Sequence, residues 1–168
     1  RYLTDLYADR IANIRRLIPD ASIGVDVIVG FPTESDSDFQ DTYRFLQELD
    51  ISYLHVFTYS ERDDTDAPTL SPAVPVALRK QRNKMLRILS AKKQHAFYER
   101  FYGTQRPVLF ESEVTEGCLS GYTDNYLRVR LPADPQLINR LVPVHLEKLD
   151  ERGLFIGSAH AEPAFAIA

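Results

Sequence analysis

The spacing of apolar residues predicts alternating helices and strands in the first part of the chain. Residues 3–18 repeat apolar side chains every three or four positions, residues 22–29 alternate, and residues 36–49 return to helical spacing. A second β-rich run follows at residues 51–57. This order predicts a parallel strand pair joined by a right-handed crossover. The expected apolar stripes are Leu3, Tyr7, Ile11, Ile14 and Ile18 on the first helix and Phe39, Tyr43, Leu46 and Leu49 on the second.

The first predicted strand has two different faces. Its valines share one face, and the other face carries Asp26 and Ile28 and ends at Gly30. Because α/β folds bind ligands at the carboxyl ends of their strands, this second face is the expected wall of a site. The Gly30-Phe31-Pro32 turn has two interpretations. It is either a tight strand-to-helix connection or a place where a flat ligand approaches the backbone, with Phe31 as an apolar wall.

The remainder of the chain changes character twice. Residues 58–76 are rich in proline, serine and acidic residues and are predicted to be a loop. Residues 76–101 have helical spacing, and Gly103 ends that helix. From residue 105 onward, short β-like runs recur about every ten residues between glycine, asparagine and proline, which indicates a small antiparallel barrel or sandwich. The predicted fold class is therefore α/β followed by all-β.

Composition narrows the functional classes. Of the 168 residues, 44% are hydrophobic, yet no run approaches the roughly 18 apolar residues of a membrane span, and no signal-peptide pattern is present. A cytoplasmic protein without membrane contacts is expected. The chain does not begin with Met and its helical pattern starts at once, so we expect a piece of a longer polypeptide. Cys118, the single cysteine, excludes an internal disulfide framework and any cluster held by several cysteines of this chain.

Charge is strongly segregated along the chain. Residues 1–72 hold 6 Lys/Arg against 14 Asp/Glu, residues 73–102 hold 8 against 1, and residues 103–168 hold 6 against 9. A basic block of this density beside a β module indicates a phosphate-backbone partner, and a solvated helix face is the alternative. The candidate RNA-binding residues are Arg79, Lys80, Arg82 and Lys84 on the helix and Arg106, Tyr122, Asn125, Tyr126, Arg128 and Arg130 in the β module. The tyrosines would stack on bases or, alternatively, fill the barrel core.

No catalytic residue emerges from spacing alone. His55 and Phe57 are expected on one side of the second strand, where His55 could pair with Asp26. A buried, hydrogen-bonded histidine is the alternative. No Ser/His/Asp order with known flanks, metal-ligand spacing or phosphate-binding glycine loop occurs. The residues by themselves indicate one wall of a binding site and identify no catalytic side chain.

Three stretches carry a resemblance to a known family. The segments DVIVGFPTES, LHVFTYSERDDTDA and GYTDNYLRV together resemble the carboxyl-terminal half of the radical SAM methylthiotransferases that modify tRNA, over about residues 1 to 158. The family's first motif is usually D-x-I-x-G-F-P-G-E-T, and its second is F-x-Y-S-x-R-x-G-T-x-A. This sequence differs from the two motifs at three positions. Thr33 and Asp64 occupy turn positions where the family usually has glycine, and Ser35 replaces the threonine of the first motif. The matching residues are Asp26, Ile28, Gly30, Phe31, Pro32 and Glu34, then Phe57, Tyr59, Ser60, Arg62, Thr65 and Ala67.

The resemblance implies a domain plan. Residues 1–72 would be the carboxyl-terminal part of a (βα)6 partial barrel, 73–102 a basic connecting helix, 103–160 a tRNA-binding TRAM barrel and 161–168 a tail. By likeness at 55–57 and 121–126, the branch would be the one that acts on threonylcarbamoyladenosine beside the tRNA anticodon.

The resemblance also implies cofactors. S-adenosylmethionine would occupy a pocket to which this chain contributes Asp26, Ile28, Gly30, Phe31, Pro32, His55, Phe57, Tyr59 and Ser60. Two 4Fe-4S clusters would belong to the full-length protein. Their cysteines, including the CxxxCxxC triplet, do not occur in this sequence. We therefore expect the chain to be inactive alone.

Two other functions stay open. The chain could be a stand-alone RNA-binding adaptor without catalytic activity, or a small hydrolase or other α/β enzyme. An in-frame cysteine triplet encoded before Arg1 would favour the methylthiotransferase, and a nearby start codon would exclude it. The open edge of the first strand also predicts self-association of the chain.

Overall fold

The computed structural model describes residues 4–151 and 153–159, so Leu3 and the predicted 161–168 tail lie outside the described residues. The chain divides into two compact units, of which the first ends at Ala96 and the second begins at Phe97. The helices are α1 (Thr4–Leu17), α2 (Asp36–Glu48) and α3 (Val76–Glu99). The strands are β1 (Gly24–Val29), β2 (Tyr53–Thr58), β3 (Gln105–Thr115), β4 (Cys118–Thr123), β5 (Arg128–Pro132), β6 (Leu141–Leu149) and β7 (Phe155–Ala159).

A two-stranded parallel sheet organises the first unit. β1 pairs with β2 in a register that runs from Gly24 opposite Tyr53 to Val29 opposite Thr58, and α2 connects the two strands. The hydroxyl of Ser35 caps α2 by accepting from the amide of Asp38, whose carboxylate in turn accepts from the amide of Ser35. The predicted parallel strand–helix–strand unit is confirmed.

The two faces of β1 differ as predicted. Val25 and Val29 are buried with Leu86 and Leu89 of α3, whereas Ile28 on the opposite face is 62% exposed. This asymmetry leaves the predicted site wall open.

The predicted stripe of α1 is wrong at its carboxyl end. Ile11 is buried, but Ile14 and Ile18 are exposed. The apolar core of the first unit includes Ile11, with Tyr7 packed against it, and does not extend to Ile14 or Ile18 among the described residues.

Side chains of α3 close the outer edge of β2. The Ser90 hydroxyl accepts from the amide of Leu54 at 2.8 Å and donates to its carbonyl oxygen at 2.9 Å. The Asn83 amide donates to the carbonyl of Val56 at 3.3 Å. These bonds fix α3 beside β2 and block the addition of a strand there. The other edge of β1 pairs with no strand among the described residues.

The second unit is a closed five-stranded barrel in the order β3-β4-β5-β7-β6. Its core includes Val108, Phe110, Leu119 and Val144, and Phe97 from the last turn of α3 joins it. The β-module prediction is confirmed, although β5 and β7 are parallel. A ring of five strands cannot alternate in direction throughout, so closure requires one parallel pair. No helix in residues 4–151 or 153–159 has the length and apolarity to cross a membrane.

Candidate functional site

A pocket of about 410 Å³ lies at the carboxyl ends of β1 and β2. Parallel pairing brings both strand ends to one edge of the sheet, so the segments that follow them meet there. The lining residues are Ile28, Phe31, Phe57, Thr58, Tyr59, Ser60, Arg62, Thr65 and Ala67. The two stretches that the sequence analysis singled out therefore share one pocket.

The pocket combines apolar walls with a polar rim. Ile28 and Phe57 are register partners on adjacent strands, and their side chains are 62% and 53% exposed. The rings of Phe31 and Tyr59 meet edge to face with centroids 5.3 Å apart. Hydroxyl and guanidinium groups come from the segment after β2. Large apolar surfaces with a few polar groups suit a small ligand that has a flat apolar part.

Gly30 serves the turn rather than the pocket. Its φ is +79°, and a Cβ placed there would lie 2.3 Å from Cγ of Arg79. The amide of Gly30 donates to the carboxylate of Glu34. Thr33, in the same turn, has a φ of +74°, and its amide donates to the carbonyl oxygen of Pro72 at 2.8 Å. The structure thus favours the tight-connection interpretation, because the space in front of Gly30 is occupied by an arginine stem.

Arg79 is a buried anchor. Its side chain is 6% exposed, and its Nε donates to the carbonyl of Val74 at 2.7 Å. Its Nη1 lies 2.7 Å from the Glu61 carboxylate and 3.3 Å from the carbonyl oxygen of Tyr59. The guanidinium also lies over the Tyr59 ring, 5.2 Å from its centroid.

Arg82 is buried one helical turn further along. It contacts the Glu34 carboxylate at 3.4 Å and the carbonyl of Glu34 at 3.1 Å. Its other terminal nitrogen lies 2.5 Å from Asp36, and the guanidinium stacks over the ring of Phe39. Arg82 therefore fixes the start of α2.

The expectation that all four basic residues of α3 face a partner is wrong for Arg79 and Arg82. They are 5% and 2% exposed, whereas Lys80 and Lys84 are exposed. The physical reason is helical spacing, because residues 79, 82, 86 and 89 lie on one face of α3. That face packs on the sheet. The segment after β2 supplies a carboxylate and a carbonyl oxygen to Arg79, and the start of α2 supplies the same groups to Arg82.

Not all predicted pocket residues reach the pocket. Pro32 is buried and outside the lining, and Asp26 lines a different cavity of about 360 Å³ together with residues of α1 and α2. His55 is the register partner of Asp26 and is exposed, with its ring against Tyr53 at 5.0 Å. The alternative of a buried histidine is therefore wrong, since the open face of the sheet leaves this residue uncovered.

Four lining residues were not predicted as site residues. Arg62, Thr65 and Ala67 belong to the second family-like motif, which was the available signal. Thr58 lies between two predicted residues of that segment. Within the described part of the chain, no cluster of three His, Cys, Asp or Glu side chains could hold a metal ion.

The barrel carries an exposed aromatic cluster. The rings of Tyr122 and Tyr126 lie 6.5 Å apart, and Arg128 lies over the Tyr122 ring at 5.9 Å. Tyr126 is 72% exposed, and Leu109, the register partner of Tyr122, is 42% exposed. The barrel-core alternative for these tyrosines is wrong, because both lie on the outside of the barrel.

Three other predicted RNA-binding residues make contacts within the barrel. Asn125 is buried, and its Oδ1 accepts from the Thr123 hydroxyl at 2.6 Å. Arg106 contacts Asp124 at 3.0 Å. Arg130 lies 3.3 Å from Glu116 and 3.4 Å from Asp150. Burial places Asn125 inside the turn, which contradicts its prediction as a surface contact.

No protein-family model matches the chain. Among curated proteins, it is 41% identical over 129 residues to the threonylcarbamoyladenosine tRNA methylthiotransferase MtaB of Aquifex aeolicus, which covers 77% of this chain and 30% of the relative. It is 30% identical over 152 residues to MtaB of Bacillus subtilis, covering 88% and 34%. The chain belongs to the tRNA methylthiotransferase family. It spans about one third of the length of these relatives.

A second branch of the tRNA methylthiotransferase family is also similar. The tRNA-2-methylthio-N(6)-dimethylallyladenosine synthase of Desulfitobacterium hafniense is 32% identical over 157 residues, which is 92% of this chain and 35% of the relative.

Proposed function

We propose that this chain supplies part of a tRNA methylthiotransferase. In this proposal the first unit is the carboxyl-terminal part of a radical SAM partial barrel and holds one side of S-adenosylmethionine. The second unit is a TRAM barrel that contacts tRNA. The observation that carries the proposal is the single pocket formed by the two family-like motifs, at the carboxyl ends of β1 and β2.

The pocket residues fit a flat, partly polar ligand. Ile28, Phe31 and Phe57 would contact the apolar and planar part, and Ser60 and Arg62 would contact polar groups. The hydroxyl of Tyr59 is buried and has no hydrogen-bond partner within residues 4–151 and 153–159, which suits a site that a ligand completes. When bound beside an iron–sulfur cluster, S-adenosylmethionine supplies radical initiation and methyl transfer.

The residues of this chain do not fit an iron–sulfur cluster. Such clusters are held by several cysteine thiolates, and Cys118, the only cysteine of the sequence, lies on β4 of the barrel. The proposal therefore assigns binding and orientation to this chain and derives no cluster-dependent step from it.

The finer proposal is the threonylcarbamoyladenosine branch. It is supported by the 41% identity to the Aquifex aeolicus relative of that name; the Bacillus subtilis relative, at 30%, does not distinguish this branch from the dimethylallyladenosine synthase at 32%. The substrate proposed for the whole enzyme is accordingly a tRNA that carries this modified adenosine.

Calorimetric titration of the 168-residue chain with S-adenosylmethionine tests the pocket. Phe57→Ser should weaken binding by about tenfold or more, because an exposed apolar wall is removed without disturbing the core. Ile14→Ser is the matched control, since it replaces another exposed apolar residue that does not line the pocket. Equal affinities for wild type and Phe57→Ser would contradict the assignment.

Binding to unmodified and modified tRNA at several salt concentrations tests the barrel. Tyr126→Ala should cost about 1–3 kcal/mol if a base stacks on it. Arg128→Ala should lower the slope of log K against log salt by about one. Arg140→Ala is the control, because it removes an exposed barrel cation outside the aromatic cluster. Lys80 and Lys84 are exposed, and we propose that they also contact tRNA. Replacing both with Glu should therefore weaken tRNA binding.

The two titrations also separate the competing functions. Binding of tRNA together with S-adenosylmethionine supports the methylthiotransferase proposal. Binding of tRNA alone, with no measurable heat from S-adenosylmethionine, would favour a stand-alone RNA-binding adaptor.

A further inference from the structure

We infer that Arg79 is a positioning residue that sets the shape of the pocket from behind. The inference rests on the proposed function, because the ligand used to test it is S-adenosylmethionine. Arg79 does not line the pocket, so it acts through the residues that do.

The first line of support is its hydrogen bonding. The guanidinium of Arg79 holds the carbonyl oxygen of Tyr59 at 3.3 Å and the carboxylate of Glu61 at 2.7 Å. These two residues flank Ser60, which lines the pocket. The third bond, from Nε to the carbonyl of Val74 at 2.7 Å, fixes the guanidinium itself. The segment after β2 is thus tied to α3 on both sides of a lining residue.

The second line of support is packing. The aliphatic stem of Arg79 fills the space in front of Gly30, and Phe31, the next residue, lines the pocket. The guanidinium lies over the ring of Tyr59, which in turn contacts the ring of Phe31. One side chain therefore supports Phe31 and Tyr59, two of the three aromatic residues that line the pocket. Its stem packs against the turn after β1, and its guanidinium against the segment after β2.

Arg82 provides an internal comparison. It lies on the same helix face and is 2% exposed, so burial and charge match those of Arg79. Its partners, Glu34 and Asp36, are at the start of α2, and neither lines the pocket. The Glu34 carboxylate also accepts from the amide of Gly30, beside Phe31, so loss of Arg82 should loosen the fold locally and change ligand affinity much less than loss of Arg79.

The test is a pair of variants, Arg79→Met and Arg82→Met, in the 168-residue chain. Methionine keeps an unbranched apolar stem, so Arg79→Met leaves the space before Gly30 filled and removes only the guanidinium. Hydrogen exchange of individual backbone amides and calorimetric titration with S-adenosylmethionine are the two readouts.

Arg79→Met should speed exchange at residues 59–62 while leaving β1 and β2 protected, and should weaken S-adenosylmethionine binding about tenfold. Arg82→Met should speed exchange near residues 34–38 and leave the affinity within about twofold. Arg79→Lys, which keeps a stem and a charge but loses the forked donors, should give an intermediate result.

Unchanged exchange at residues 59–62 in Arg79→Met would overturn the inference, as would an affinity equal to wild type. If Arg79→Met does not fold, Arg79→Lys decides by the same criteria. If wild type itself does not bind S-adenosylmethionine, the proposed function fails for this chain, and the exchange readout alone decides the role of Arg79.

Discussion

Arg79 and Arg82 of the first unit are buried beneath two turns, whereas Arg128 of the barrel is exposed beside two tyrosines. Arg79 and Arg82 belong to the basic block of residues 73–102, whereas Arg128 lies in residues 103–168, where acidic residues outnumber basic ones. The buried pair has carbonyl and carboxylate partners within its own unit, so its charge is already used in the fold. Charge density along a sequence therefore does not separate structural arginines from those available to a phosphate partner.

The largest expected effect on stability tests the packing of the buried Arg79 against Gly30. Gly30→Ala should lower the free energy of unfolding by about 3 kcal/mol, since it combines a left-handed backbone with a methyl group 2.3 Å from Cγ of Arg79. Urea unfolding followed by circular dichroism measures the loss.

Two controls separate the causes. Gly117 has a φ of +73° and open space around it, so Gly117→Ala should cost only about 1 kcal/mol. In an Arg79→Ala background Cγ and Cδ are gone and only the Cβ, 2.9 Å from the added methyl group, stays, so Gly30→Ala should then cost less. Equal losses for Gly30→Ala in both backgrounds would show that the arginine stem does not impose the glycine.

The next effect compares two basic residues of α3. Arg82→Met should lower the free energy of unfolding by about 2 kcal/mol, because the Glu34 carboxylate, 16% exposed, loses its charged partner. Lys84→Met on the exposed side should change it by less than about 0.5 kcal/mol. Similar values for both variants, measured by urea unfolding, would contradict the division of α3 into buried and exposed cations.

The helices and strands could be predicted from the sequence because they depend on local features of the chain. The alternation at residues 22–29 and the capping residues Ser35 and Asp38 determine faces and boundaries without reference to distant residues. The burial of Arg79 and Arg82 could not be predicted in this way, since their partners lie 18 to 48 positions away along the chain, apart from Val74. The pocket was predicted at the correct strand ends, but its members Arg62 and Thr65 depend on how the loop after β2 folds back.

A smaller effect concerns the two positions where this chain departs from the family's glycine. Thr33 and Asp64 have φ values of +74° and +63°, a backbone region in which glycine has no steric cost. Thr33→Gly should raise the free energy of unfolding by about 0.5–1 kcal/mol, because a β-branched residue is strained there. Asp64→Gly should gain less, since aspartate tolerates this region better. A loss of stability in Thr33→Gly would show that the threonine side chain compensates for its backbone strain.

The smallest effect is the pH dependence of the ion pair behind the pocket. A hydrogen bond from its own backbone amide, and then Arg79, lower the pKa of Glu61 below its ordinary value of 4.5. The folded state thus binds a proton at Glu61 less tightly than the unfolded chain does. The stabilisation that the charged Glu61 gives to the fold is therefore complete above the unfolded pKa and is lost as the pH falls through the folded pKa. Glu61→Gln should therefore reduce stability slightly at pH 7, and the difference from wild type should vanish as the pH falls through the folded pKa of Glu61. In an Arg79→Met background the same substitution should have a smaller effect at pH 7. An equal effect in both backgrounds would mean that Arg79 does not stabilise the charged carboxylate.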